Sequence, residues 1–323
     1  MNAKGMKFTV ALLALAGMAA LSQWGTSRAD KTPERLSMAA KEGRLQQVDQ
    51  LLAQGADENA RGYLGRNPLM LAAENGHVDV VRHLLAKGAD ANVRDAWDFT
   101  PLMLASQWGS REIVEALLAA GADPTVHTRG GLDAVMLAAR YQYPELVGLL
   151  LDHGAPVDRA DAHARTALML ASERGFEDVV KVLLAHGADP NRQGKEGYTP
   201  LMLAAVGGHE GTVQALLSAK ADLSPQHACG CTALLLAAEK GYTGIVEAIL
   251  GSGANVNAAN EEGTTALMFA ARHDHLDTVR ALMAHGANPG QTDKEGKKAV
   301  DYTSSRDRNS ALRRLIAADA GQA

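Results

Sequence analysis

The sequence predicts an all-α fold: a solenoid of stacked helix-turn-helix units joined by hairpin loops. Three observations carry this. Asn67, Thr100, Asp133, Thr166, Thr199, Thr232 and Thr265 recur at a strict 33-residue spacing. Each opens a run of apolar and small residues: NPLMLAA, TPLMLAS, DAVMLAA, TALMLAS, TPLMLAA, TALLLAA and TALMFAA. A glycine then recurs at Gly55, Gly88, Gly121, Gly154, Gly187, Gly253 and Gly286. A fixed period of this length means one unit stacked many times. Such a chain builds a long surface, not a catalytic cleft.

Each part of a unit has a physical reason. From Thr100 to Asp133, Thr100 suits an N-cap and Pro101 the first helical position, where a missing N–H costs nothing. Leu102 to Ser106 continue a short helix, and Gly109 ends it. Ile113, Val114, Leu117 and Leu118 give the apolar stripe of a second helix, closed by Gly121. Residues 122–132 hold turn formers and read as a hairpin back to the next cap.

All seven cap residues accept hydrogen bonds, so Asp133 departs from Thr-Pro and keeps the chemistry. Lys220 stands where the other units have glycine, which predicts a strained turn. Pairs such as Ala72-Ala73 and Ala204-Ala205 let first helices approach closely. Pairs such as Leu84-Leu85 and Leu183-Leu184 give the second helices their bulk. No unit buries its stripe alone.

These features (T-P-L, A-A, G-H, V-V-x-x-L-L, G-A-D-x-N) resemble the ankyrin repeat. The resemblance covers residues 35–317: an N-terminal cap over 35–65, seven repeats over 66–296 and a C-terminal cap over 297–317. A tail over 318–323 follows. The family's usual histidine is replaced by Met70, Met103, Met136, Met169, Met202, Leu235 and Met268. This ladder reads as inter-repeat core, since methionine fills irregular apolar gaps. A soft-metal or oxidisable ladder is the sharper alternative. Tyr141-Gln142-Tyr143 replaces x-G-H in one unit and predicts an altered turn there.

Residues 1–29 read as a signal peptide. Lys4 and Lys7 precede an apolar stretch from Phe8 to Leu21, and Ser27-Arg28-Ala29 offers a cleavage site before a short segment at 30–34. The expectation is a periplasmic protein, with secretion or an uncleaved anchor as alternatives. Cleavage removes three positive charges and no acid, taking the net charge from −5 to −8. An acidic chain without a basic run argues against nucleic acid and against an anionic membrane surface as partners.

In such folds, by resemblance, the hairpin tips and the exposed face of the first helix line a concave groove. The residues here that fall on it and suit binding are Tyr63, Arg66, Trp97, Phe99, Trp108, Arg129, Arg140, Tyr141, His163, Arg165, Arg174 and Tyr198. Aromatics and arginine dominate interface energetics. The arginines predict a basic stretch that favours an acidic partner surface.

Other chemistry is sparse. Cys229-Gly230-Cys231 with His227 has three readings: a strained disulfide, a soft-metal site, or ordinary loop thiols. His273 and His275 are two apart and share no helix face. There is no nucleophile elbow, phosphate loop or zinc motif. The expectation is therefore a monomeric, non-enzymatic, cofactor-free module that binds a protein in its groove, as an inhibitor or immunity-type protein in one version. The competing class is a redox or metal-handling protein built on the C-x-C pair.

Overall fold

The computed structural model describes residues 32–303 and residue 316. The expected signal peptide, the tail, and the C-terminal cap beyond residue 303 apart from Ile316 lie outside the described residues. Among the described residues sixteen α-helices form two columns. The first-helix column is α1 (Thr32–Lys41), α3 (Pro68–Glu74), α5 (Pro101–Trp108), α7 (Ala134–Arg140), α9 (Ala167–Arg174), α11 (Pro200–Gly207), α13 (Ala233–Lys240) and α15 (Ala266–Arg272). The second-helix column is α2 (Leu45–Ala53), α4 (Val78–Ala86), α6 (Arg111–Ala119), α8 (Pro144–Asp152), α10 (Glu177–Ala185), α12 (Glu210–Ser218), α14 (Thr243–Gly251) and α16 (Leu276–Ala284). Each helix packs on its own partner, and every first helix on the next first helix; the second helices do the same except between α6 and α8. A 3-10 turn at Ala299–Tyr302 covers α15.

The burial pattern explains the two columns. In α5, every residue from Pro101 to Ser106 is buried, because neighbours lie on both sides. In α6 only Ile113, Val114 and Leu117 are buried, one stripe facing inward. The methionine ladder and Leu235 lie in the core, none more than 1% exposed.

Six of the seven caps form as expected. Asn67, Thr100, Asp133, Thr166, Thr199 and Thr265 each accept the amide of the residue three ahead. Thr232 is the correction: it holds the register but makes no side-chain cap bond. The first helix also begins at Thr32, three residues before the expected start of the repeat domain.

Asp133 is the costly cap. Its Oδ1 takes the Met136 amide at 2.8 Å. Its Oδ2 is buried without a hydrogen bond, and Arg159 Nε lies 3.4 Å away, attracted but not aligned. Burial pushes the carboxyl up to about 6, against the Met136 amide and the charges of Arg159 and His127.

Left-handed backbone recurs along the stack at equivalent turns. Lys220 takes it at φ 59 where its counterparts are glycine, so the expected strain is present. Gln142 takes it at φ 65, so the turn at Tyr141-Gln142-Tyr143 keeps the geometry of the other units. This corrects the expectation of an altered turn.

Rungs tie each unit to the next. Asn59, Asn92, Asn191 and Asn257 accept the amides of Asp90, Asp123, Asp222 and Asn288, each 31 residues on. Thr125 occupies the rung position whose partner would be Pro156, a residue with no N–H to offer. On the other side of five units, a ring (His77, Tyr143, His209, Tyr242 or His275) seats on a glycine of the unit before. His77 Nε2 bonds Lys41 O at 2.9 Å, and a Cβ on Gly43 would lie 2.5 Å from its ring. His209 repeats this against Glu173 O and Gly175.

Two substitutions probe these strained positions. Lys220→Gly removes a left-handed lysine and is expected to stabilise the fold by roughly 0.5–1 kcal/mol, less than the full strain because glycine is looser when unfolded; a thermal melt with an unchanged or lower midpoint contradicts it. Asp133→Asn keeps the cap acceptor and deletes the buried charge. A carboxyl raised in the folded state stabilises below its unfolded pKa and loses that contribution as pH rises through the folded value. Across the interval from 3.8 to about 6 that amounts to about 2–3 kcal/mol. The variant is therefore expected to be more stable than the parent at pH 7.5, with the gap narrowing to about a third by pH 4.5. A gap equal at both pH values rules this out.

Candidate functional site

The hairpin tips are set by side chains that hold their own backbone. Asp95 Oδ1 accepts the amides of Trp97 and Phe99, both at 2.9 Å. Asp161 Oδ1 does the same for His163 and Arg165. Burial would raise the Asp161 carboxyl, but the Arg165 amide and guanidinium and the His163 amide outweigh it and hold it below the usual range. The tip is thus fixed before any partner arrives, and the residues between its ends project outward.

The aromatic positions divide into two sets. Tyr63, Trp97 and Trp108 are exposed, at 65%, 53% and 51%. Trp97 stands at a tip with the Arg66 guanidinium 5.9 Å from its ring centre. Trp108 ends α5. Phe99 instead turns inward onto Met70, Val93 and Leu104. Tyr141 and Tyr198 are half-buried against the main core. Tyr198 also stacks on His227 at 4.8 Å, and burial pushes its hydroxyl pKa up. Phe99, Tyr141 and Tyr198 therefore support the surface more than they present one.

The arginines are less free than the sequence implies. Arg66 bonds Asp95 at 3.2 Å and Glu74 at 2.7 Å. Arg129 bonds Asp98 at 2.9 Å. Arg165 bonds Asp161 through Nε and Nη2. Arg174 donates to Leu170 O at 3.1 Å, with Glu173 at 3.9 Å. Arg140 is half-buried, and its Nε has no hydrogen bond. His163 is exposed and joined to its neighbours only through backbone atoms. The basic stretch is thus partly matched locally: Asp98 pairs with Arg129 and Asp161 with Arg165, as Asp95 does with Arg66. Sequence reading missed these acids because each lies 4 to 31 residues from its arginine and sits on a hairpin judged only by its turn formers.

Cys229 and Cys231 are free thiols. Cys229 is exposed and Cys231 is buried in the core cluster, which pushes its thiol pKa up. With one thiol outward and one inward, the disulfide among the three readings is not formed. His227 Nδ1 accepts the Cys229 amide at 2.9 Å, so that nitrogen is already engaged in the turn. His275 Nε2 is held by Glu239 O at 3.0 Å. Among the described residues no group of three His, Cys, Asp or Glu is placed to hold a metal ion, and no helix is long and apolar enough to cross a membrane.

This geometry leaves Tyr63, Trp97 and Trp108 exposed, and among the described residues the Arg140 guanidinium has no ion pair. Exposed rings of this kind suit recognition. A family profile described as ankyrin repeats in three copies matches residues 36–128, 125–194, 191–260 and 234–322. A comparison with curated proteins finds no match. With the repeat matched across nearly its whole length, the chain belongs to the ankyrin-repeat family.

Proposed function

We propose that the chain is exported to the periplasm and binds a folded protein or an extended protein segment in its concave groove, in one version as an inhibitor or immunity-type protein. Its ankyrin repeats make it a protein-interaction scaffold. The finer reading rests on one observation: Trp97 and Trp108 leave about half their area in solvent on a face whose backbone is already fixed. Indole rings placed so are strong interface anchors and poor idle surface. Residues 1–29 support export by their charge and apolar pattern. The groove acts as a single body, and the partner is a monomer's ligand rather than a second copy.

Replacing both Trp97 and Trp108 by alanine is expected to abolish capture of the partner from a periplasmic extract while shifting the melting midpoint little. Each central ring lost costs about 2 kcal/mol or more of binding. Full capture by the double variant counts against the groove.

The thiols give a second check. A scaffold that does not use Cys229 and Cys231 keeps its partner when both become serine. Replacing the exposed Cys229 alone is expected to be silent, while Cys231→Ser places a hydroxyl in the core and lowers stability by about 1 kcal/mol or more. Loss of function in Cys229→Ser, with the fold intact by circular dichroism, favours the redox class instead.

A further inference from the structure

Arg140 differs from Arg66, Arg129 and Arg165. Arg66, Arg129 and Arg165 each have a carboxylate within 3.2 Å. Arg140 ends α7 and makes no ion pair among the described residues, and its Nε is buried without an acceptor. With no acid paired to it, the guanidinium leaves its terminal nitrogens to take an incoming acceptor, and a charge-assisted bond of that kind is strong.

Its neighbours sharpen the case. Arg174 ends the adjacent first helix, α9, which packs directly on α7. Burial pushes the Arg174 pKa down, Glu173 pulls it up, and the like charges of Arg140 and Arg165 add to the downward push. The three guanidinium groups therefore act on one another. The carboxylate near Arg165, Asp161, already holds two hairpin amides as well as that guanidinium. Beside the cluster runs a row spaced 33 residues apart: Trp108, Tyr141, Arg174. Farther along the stack the same positions are mixed in sign, with Lys195 beside Glu196, Lys240 beside Glu239 and Lys294 beside Glu295.

We propose that Arg140, with Arg165 and Arg174, forms the receptor for one carboxylate of the protein partner, an aspartate or glutamate side chain in an extended segment whose apolar neighbour rests on Tyr141 and Trp108. This rests on the groove-binding reading and names the chemistry it recognises. The planar fork of Arg140 is suited to a carboxylate.

The test uses phage-displayed random dodecapeptides selected on the purified protein. The expected pool carries Asp or Glu at one aligned position, next to an apolar residue. A synthetic peptide from that pool should bind Arg140→Gln at least about tenfold more weakly. Changing the peptide's acid to its amide should weaken binding to the parent equally and add little on Arg140→Gln. Arg82→Gln, on the second-helix column, controls for net charge and should bind as the parent does. If Arg140→Gln fails to fold, Arg140→Lys keeps the charge without the fork and should weaken the peptide in the same direction. A pool without an aligned acid, or equal binding to parent and variant, overturns the carboxylate receptor and leaves groove binding standing. A pool no richer than the unselected library overturns both.

Discussion

The structure depends on mutual shielding. A two-helix unit has apolar side chains on more sides than it can cover itself. In α5 almost the whole first part of the helix is buried, yet its own partner α6 covers only one side. The helices of the next units supply the rest. This makes stability a matter of neighbours, because each unit is stable only to the extent that the adjacent ones are folded. The cross-unit bonds serve the same end. The asparagine rungs and the rings seated on glycine hold many of the units to the next at a fixed spacing, and the methionine ladder stays closed.

Shielding also decides where recognition is possible. Residues on the first-helix core face and the inner stripe of the second helices are committed to packing. The hairpin tips are not. Asp95 and Asp161 satisfy the tip amides internally, so the tip keeps its shape without help from the residue at its apex. Trp97 and His163 are thereby released from structural duty. A preformed loop loses little conformational freedom on binding, which favours affinity from a few anchors.

Much of this is legible in the chain because it depends on short spacings. The caps, the glycines and the apolar stripes act within one unit, and their period betrays them. Lys220 is readable for the same reason, since its seven counterparts show what the backbone requires. The less legible features act between units. Nothing near Arg66 in sequence shows that Asp95 will hold it, and nothing at Thr232 shows that its hydroxyl will miss the helix amide. Phe99 and Trp97 are two residues apart on one tip, and only the packing of Phe99 onto Met70 and Leu104 separates the buried ring from the exposed one. The opposite fates of Cys229 and Cys231 have the same origin: alternate residues across a tight turn point to opposite sides.

Several departures from the repeat fall close together. Asp133 in place of a threonine cap, Gln142 in place of glycine, Pro156 in place of a rung amide, Arg159 reaching toward Asp133 and the unpaired Arg140 all fall between residues 133 and 159. Each is unfavourable alone: a buried carboxylate, a left-handed glutamine, a lost rung, an unbonded guanidinium N–H. In a single-core domain such a concentration would threaten the whole fold. In a stack with nearest-neighbour coupling, regular units on either side hold the irregular one in place. A region allowed to be locally poor can carry side chains chosen for something other than packing, and here those side chains lie beside the exposed rings.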